Sequence, residues 1–417
     1  MADQVFSPGF FNYFIIIYDM KQIIYIFVLI SSICCYAQNN EPETIQLASS
    51  SRYAHELKIS DIATQVRYVP LETKDNCLIG NWFQVFFSEE FIFVQSSGVI
   101  FQFTPKGKFV RQINKNGQGP GEGYARSFAV DEKNRLIYIY HNFSLDVLVF
   151  SMEGKYIKTI RNPFANEQVE HGAMTISFYN GNLLFPFTND SGRDLYKYAV
   201  VGATGKVIHK ESNYTKYLLK ERILERSLSL ISPFFFNNSS CFFKQKYNDT
   251  IFSINPDYSC TPKYILKLDK QITLEESLKT GAYVIQYSDL SGKNIVYGVA
   301  ESETYLDIYH TQSPHDKDNR KHFFSRYNKK SKQLLHNVNQ LIVNDWDGGM
   351  DIEVGFSKQC GYVMCIPVQP FEMKEKLTSS HFSKAQSKHP EQENALKTLV
   401  NNLKEDDNPV LMFIHLK

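Results

Sequence analysis

The sequence carries almost no net charge, and this absence removes one large class of partners. Its 417 residues include 45 Lys and Arg against 44 Asp and Glu, which leaves a formal charge of +1 at pH 7. A protein that binds a phosphate backbone or an anionic membrane surface needs a strongly basic field. We therefore expect no nucleic-acid partner, and membrane contact only through an attached lipid.

Cysteine is scarce and irregularly spaced. The chain has 7 cysteines, of which Cys34 and Cys35 lie in an N-terminal apolar segment. The other five are Cys77, Cys241, Cys260, Cys360 and Cys365. They form no Cys-x-x-Cys pair, and an odd number does not suit a complete disulfide framework. The sequence thus predicts buried free thiols and no zinc site, and it leaves one or two disulfides open.

Compact catalytic signatures are also missing. The pair His55-Glu56 lacks the second histidine of a zinc-protease helix, and no Gly-x-Ser-x-Gly elbow occurs. His171, beside Glu170, is the one isolated imidazole that we single out as a catalytic candidate, with an ordinary surface residue as the alternative. Sites assembled from several strands leave no compact motif, so an enzyme stays open.

Glycine and proline are few, at 21 and 15, whereas the chain has 25 Tyr and 32 Phe. Aromatic side chains favour pleated, half-buried strands, and apolar residues at helical spacing are rare before residue 390. The composition therefore favours an all-β fold, and the length allows one large repeat architecture.

The amino terminus is typical of an exported protein. Lys21 precedes an apolar run over residues 23–30, and small residues end the segment at Ala37. We predict an upstream extension at residues 1–19, a signal peptide at 20–37, a linker at 38–55 and the folded domain at 56–417. The expected location is the periplasm or the cell surface. Lipidation at Cys34 or Cys35 and a retained membrane anchor are the alternatives.

One pattern recurs along the chain: an alternating strand, a polar turn and a second alternating strand. Five such outer hairpins lie at residues 100–113, 147–160, 195–208, 251–266 and 323–335. The turn glycines Gly107, Gly154 and Gly205 recur about every 50 residues, which is the length of one four-stranded propeller blade. An aromatic-rich inner hairpin precedes each copy, and a sixth follows, at residues 83–94, 128–140, 176–187, 233–243, 297–309 and 352–366.

Six inner hairpins predict a six-bladed β-propeller of four-stranded antiparallel blades. The sixth blade lacks an outer hairpin, so we expect the strands at residues 66–71 and 409–416 to pair and close the ring. A helical insertion in this blade is predicted at residues 390–406. We predict a mobile loop at 374–389 before it, and a second short helix within 212–229.

These residues resemble the secreted six-bladed β-propellers of Bacteroidota, which are similar in architecture to NHL-repeat propellers. The resemblance covers residues 56–417 and rests on five segments: 69–73, 100–113, 117–122, 344–349 and 408–411. It implies the fold and export. The sequence departs from the family pattern at residues 350–353, where an apolar segment is usual.

The segment 117–123 has a glycine spacing similar to that of dinucleotide-binding loops. It lies between two strands, whereas a phosphate site needs the amides that begin a helix. We interpret it as a tight connection between blades that needs positive φ and lines one mouth of the channel. Its ligand-binding candidates are Gln118, Glu122 and Tyr124.

Carboxylates cluster around Gly348-Gly349. Asp345, Asp347 and Asp351, followed by Glu353, are hard oxygen ligands of the kind that Ca²⁺ takes, although their spacing is not that of an EF-hand. The alternative is a turn whose aspartates cap local amides. Calcium is the one cofactor that the sequence suggests.

The sequence favours a binding module that holds a small molecule, glycan, peptide or protein outside the cytoplasm. The rival hypotheses are a propeller lyase or hydrolase with its site in the central channel, and a structural subunit of a cell-surface assembly. Charged groups on the axis would favour the enzyme, and an aromatic, uncharged mouth would favour sugar or protein binding.

Overall fold

The computed structural model contains six sheets arranged in a ring, each built mainly from consecutive antiparallel strands. It describes residues 41–47, 56–81, 83–165, 175–187, 189, 192–216, 233–237, 240–245, 247–279, 291–314, 318–337, 341–353, 358–360, 362–378 and 387–417. The predicted six-bladed β-propeller is confirmed.

The chain begins with β1 (Glu43–Leu47), α1 (Ile59–Ile62) and β2 (Ala63–Pro70). Blade 1 contains β3 (Phe83–Phe87), β4 (Ile92–Ser96), β5 (Val99–Phe103) and β6 (Phe109–Gln112). Blade 2 contains β7 (Ala125–Asp131), β8 (Leu136–His141), β9 (Val147–Ser151) and β10 (Tyr156–Ile160). Blade 3 contains β11 (Ser177–Tyr179), β12 (Asn182–Pro186), β13 (Tyr196–Val201) and β14 (Val207–Ser212).

Blade 4 contains β15 (Phe234–Phe236), β16 (Cys241–Lys244), β17 (Thr250–Ile254) and β18 (Cys260–Leu268), and β1 adds a fifth strand beside β18. After α2 (Leu274–Lys279), blade 5 contains β19 (Asn294–Glu301), β20 (Tyr305–Gln312), β21 (Lys321–Asn328) and β22 (Leu334–Asn337). The short strands β23 (Leu341–Ile342) and β24 (Ile352–Glu353) pair with each other. Blade 6 contains β25 (Lys358–Cys360), β26 (Val363–Val368), β27 (Val410–Leu416) and β2, and α3 (Pro370–Thr378) and α4 (Pro390–Asn402) lie between β26 and β27.

The core lies between neighbouring blades, and strand alternation builds it. In β8, Ile137 and Ile139 pack into the cluster shared with blade 1, whereas Tyr138 and Tyr140 pack into the cluster shared with blade 3. Successive side chains of a strand point to opposite faces of its sheet. A middle strand of a blade is therefore apolar at consecutive positions, because both of its faces are buried.

The two ends of the chain close the ring, as predicted. Strand β2 pairs with β27 from Ala63 opposite Leu416 to Pro70 opposite Val410. Asn408 secures the junction: its amide donates to the carbonyls of Glu72 and Cys77, at 2.9 and 2.7 Å, and its oxygen accepts from the amide of Ile79. Closure removes two exposed strand edges that would otherwise invite aggregation.

Two predictions for blade 6 are wrong. The sequence predicts an inner hairpin at residues 352–366, but β24 pairs with β23, and the inner strand is β25, which pairs with β26. The mobile loop predicted at 374–389 begins inside a helix, α3, because Pro370 starts the helix and Met373 is buried one turn later. The predicted helical insertion is confirmed as α4, with Leu396 and Val400 buried, but the helix ends at Asn402 and not at residue 406.

The helix predicted within residues 212–229 falls mostly outside the described residues. Within the described part of the chain, no helix is long and apolar enough to cross a membrane. The described cysteines Cys77, Cys241, Cys260 and Cys365 are free thiols, and all but Cys260 are buried.

Candidate functional site

The connections of the propeller divide into two groups at opposite ends of the strands. Neighbouring strands in a blade are antiparallel. The turn from the first strand to the second and the turn from the third strand to the fourth therefore lie at the same end of the blade. These turns are short, for example residues 88–91 and 180–181. Connections from second to third strand and from one blade to the next share the other end, and several are long, such as 113–124 and 369–409. We call this end the loop face.

Exposed large apolar side chains concentrate on the loop face. Among the described residues, those outside the fourth strands of blades all lie in loop-face connections: Leu78, Tyr124, Phe143, Leu195, Tyr214, Leu341 and Phe371. The remaining three, Ile157, Ile208 and Leu335, lie on fourth strands. Described residues in the short turns at the opposite end include no exposed large apolar side chain. The two ends of the ring therefore differ in character as well as in loop length.

The glycine-rich segment connects β6 to β7, so the predicted connection between blades is confirmed. The amide of Gly123 donates to the carbonyl of Lys115 at 2.8 Å, and Glu122 Oε2 accepts from the amide of Gly119 at 3.1 Å. Gly121 has a φ of 76°, which L-residues with side chains rarely adopt. Glu122 therefore closes the loop locally, and the segment leads into a strand rather than a phosphate-binding helix.

A buried asparagine that sequence reasoning missed holds the base of this loop. Asn114 Oδ1 accepts from the amide of Ile100 at 2.9 Å, and its Nδ2 donates to the carbonyls of Gly98 and Gly123, both at 2.9 Å. These three bonds tie the connection to blade 1. Because buried polar groups are costly when unpaired, the side chain fixes the position of the segment.

Three rings form a patch beside this loop. Tyr124 and Phe143 have ring centroids 6.4 Å apart, and His141 and Phe143 have centroids 5.9 Å apart. We call Tyr124, His141 and Phe143 the aromatic patch. A Cβ added at Gly98 would lie 2.4 Å from the Tyr124 ring, and one at Gly123 would lie 2.3 Å from the His141 ring. The two glycines thus let the rings lie directly on the backbone.

Hydrogen bonds fix the His141 imidazole. Its Nδ1 accepts from the amide of Ser144 at 3.1 Å and lies 3.0 Å from the Ser144 hydroxyl oxygen. Since Nδ1 accepts, the proton of the neutral ring belongs on Nε2. The same bonds hold the turn that presents Phe143.

The structure places the predicted ligand-binding residues as follows. Gln118, Glu122 and Tyr124 are all exposed on the loop face. Tyr124 comes together with His141, the last residue of β8, and with Phe143 in the connection that follows; the sequence did not indicate this contact. His171 lies outside the described residues. The binding and catalytic roles of these residues stay predictions.

Asp345 links three parts of the chain. Its carboxylate accepts from the amide and hydroxyl of Ser60, at 3.0 and 2.6 Å, and pairs with Lys388 Nζ at 2.9 Å. Although partial burial acts in the opposite direction, these hydrogen bonds and the Lys388 charge lower the pKa of Asp345. Asp345 therefore links α1, through Ser60, to the segment just before α4, through Lys388.

Asp347 and Asp351 have separate partners. Buried Asp347 accepts from Asn344 Nδ2, the Gly349 amide and the Tyr68 hydroxyl, at 2.8, 3.0 and 3.2 Å. Burial raises the pKa of Asp347 despite these donors. Asp351 accepts from the Asn344 amide and from Lys376, at 2.9 and 3.4 Å. No three His, Cys, Asp or Glu side chains of the described residues are grouped as a metal site, and calcium binding stays a prediction.

A buried lysine on blade 4 supplies a pH test of the structure. Lys244 Nζ donates to the carbonyls of Gln245 and Asn248, at 3.2 and 2.8 Å. Burial lowers the pKa of Lys244 from 10.5 to about 8, although the charge of Asp249 acts in the opposite direction. The unfolded chain therefore binds more protons than the folded chain between these pH values, and stability from this group rises with pH there.

We expect Lys244→Met to remove that rise. The measurement is the free energy of unfolding in urea at intervals from pH 7 to pH 10.5, for the protein and the variant. The free energy of unfolding of the protein should rise relative to that of the variant as the pH increases above about 8. A difference that stays constant across this range would contradict the assigned environment of Lys244.

The strand order and the loop face together define a six-bladed β-propeller with exposed apolar side chains on its loop-bearing end. A family model described as domain of unknown function DUF4934 matches residues 42–415, so the chain belongs to the DUF4934 family. No curated protein matches the sequence.

Two solved structures are similar to the protein. One, from Bacteroides fragilis, is described as an exported protein; it is 18% identical, with a TM-score of 0.65 over 90% of this chain and 100% of its own. The other, a member of the DUF4221 family from Bacteroides vulgatus, is 10% identical, with a TM-score of 0.48 over 85% of this chain and 97% of its own. The first supports the fold, whereas the NHL-repeat likeness is not confirmed.

Proposed function

We propose that the protein is an exported binding module whose loop face holds a ligand outside the cytoplasm. The observation that supports this most is the one-sided distribution of exposed apolar side chains, with Tyr214 and Phe143 among the most exposed. Apolar groups gathered on one surface and rimmed by polar residues are typical of interaction sites. Loops on a rigid scaffold are also where binding residues concentrate.

Export is supported by two observations. The sequence contains a predicted signal peptide at residues 20–37, and the similar structure from Bacteroides fragilis is of a protein described as exported. We place the protein in the periplasm or at the cell surface. A lipid on Cys34 or Cys35 would tether it to a membrane without a spanning helix.

The aromatic character of the loop face bears on the kind of ligand. Tyr124, Phe143 and Tyr214 are exposed there, and aromatic rings supply large contact area at a small cost in conformational entropy. This character favours binding of a sugar, peptide or protein over chemistry in the channel.

Charged substitutions on the loop face should weaken binding without unfolding the protein. We expect Tyr214→Lys and Leu195→Lys to reduce ligand affinity by about fivefold or more, because each places a charge in the contact surface. The measurement is the ligand-induced rise in melting temperature of the exported protein across glycans and peptides, followed by titration of each ligand that raises it.

The matched control is Ile208→Lys, which charges a side chain that is 48% exposed on β14. This variant should bind as the unmodified protein does. Equal loss of affinity in the control and the loop-face variants would contradict the proposal, as would a complete absence of ligands in the screen.

A further inference from the structure

We propose that the aromatic patch is a subsite for a pyranose ring of a neutral glycan. The inference rests on the proposed function, because it assigns a ligand class to one part of the loop face. Tyr124 is 39% exposed and Phe143 is 77% exposed, and their ring planes are inclined at 58°. A sugar ring has C–H groups that contact an aromatic face and hydroxyl groups around its edge that need polar partners.

The patch is preorganised for such a contact. Gly98 leaves room for the Tyr124 ring, and the bonds from Ser144 to His141 hold the turn that carries Phe143. The backbone supports both sides of the patch, since the Asn142 amide donates to the Tyr124 carbonyl at 3.0 Å. A rigid surface binds without the entropic cost of ordering loops, which matters for a ligand as small as one sugar.

The two chain segments that carry the rings add polar side chains but no net charge. On segments 114–124 and 141–145, Lys115 and Glu122 are the charged side chains at neutral pH, and their formal charges cancel. The two residues form a β-bridge with each other, so both charged side chains start from adjacent backbone positions of one loop. The exposed neutral side chains are Asn116, Gln118 and Ser144. Amides and hydroxyls both donate and accept hydrogen bonds, as sugar hydroxyls do.

This charge balance argues against the other ligand classes. An anionic glycan would need a cluster of basic groups, and a cationic ligand held over a ring would gain from a net negative surround. The segments of the patch provide neither. The size of the patch, two exposed rings and one half-buried imidazole, suits a single ring rather than an extended protein surface.

The test is a titration of the whole exported protein with neutral oligosaccharides of glucose, mannose, galactose and xylose. Oligouronates, chitosan oligomers and a peptide library are titrated in parallel. We expect a neutral oligosaccharide to bind, Phe143→Ala and Tyr124→Ala each to lower its affinity about tenfold, and Ile208→Ala to leave it unchanged. Melting curves of the three variants check that each is folded.

Each other outcome overturns the inference in a distinct way. If a neutral oligosaccharide binds with an affinity that Phe143→Ala and Tyr124→Ala leave unchanged, its binding site is not the aromatic patch. Binding of only the charged sugars or a peptide, with loss in the same variants, would refute the ligand class but leave the loop-face function standing. If none of these ligands binds, both the inference and the proposed function are wrong.

Discussion

Asp307→Ala is expected to lower the free energy of unfolding by about 3–5 kcal/mol, because it leaves the buried guanidinium of Arg326 without its negative partner. Arg326 Nε and Nη2 donate to the two oxygens of Asp307, at 2.8 and 3.0 Å, between β21 and β20. Both side chains are almost fully buried. The Arg326 guanidinium also lies 4.7 Å from the Tyr305 ring. Urea denaturation followed by circular dichroism measures the effect.

The matched control for this prediction is an exposed ion pair. Glu153 pairs with Arg135 at 3.0 Å on the surface, where water screens the interaction. Glu153→Ala should leave the urea midpoint within experimental error, and Asp307→Asn should fall between the two alanine variants. Equal midpoints for Asp307→Ala and Glu153→Ala would show that the buried pair does not support blade 5.

Removing the residues before Thr73 should destabilise the protein more than Asp307→Ala does. A chain that starts at Thr73 lacks both β1 and β2, so β18 and β27 each lose a neighbouring strand. Asp345 and Asp347 also lose their donors from Ser60 and Tyr68. We expect loss of cooperative unfolding, a change comparable with the whole stability of an ordinary domain, about 5–15 kcal/mol. Calorimetry and size-exclusion chromatography measure it.

A synthetic peptide of residues 56–72 provides the control, because it restores the strand without the covalent link. Its addition should recover part of the melting transition of the shortened chain. A shortened chain that melts as sharply as the whole protein, at the same temperature, would show that the ring does not depend on closure by β2.

The sequence predicted the ring because strand alternation and turn chemistry are local signals. Consecutive apolar residues in β8 mark a strand buried on both faces, and Gly107 and Gly154 mark turns at positive φ. Blade 6 was harder, since Ile352 has the pattern of an inner strand but packs near Ile342 of the preceding connection. The pairing of β24 with β23 depends on tertiary structure, and the apolar periodicity of the sequence does not predict it.

The candidate site was predicted only in part for a similar reason. Tyr124 follows a glycine-rich segment, whereas His141 ends β8 and Phe143 lies in a short connection with no unusual composition. Only the fold brings His141 and Phe143 beside Tyr124. The rings of Tyr124 and His141 lie against the backbone because Gly98 and Gly123 have no side chains there. The buried Asp307–Arg326 pair gave no sequence signal, because each residue alone is typical of an exposed strand position.

The central claim is that the loop face, and not the rest of the ring, holds the ligand. Hydroxyl-radical footprinting of the whole exported protein, with and without the ligand that most raises its melting temperature, tests this directly. We predict that labelling of Phe143, Tyr214 and other exposed loop-face side chains falls on binding, while labelling of Ile157 and Ile208 on the outer strands is unchanged. Protection of Ile157 and Ile208 with no change on the loop face would contradict the account.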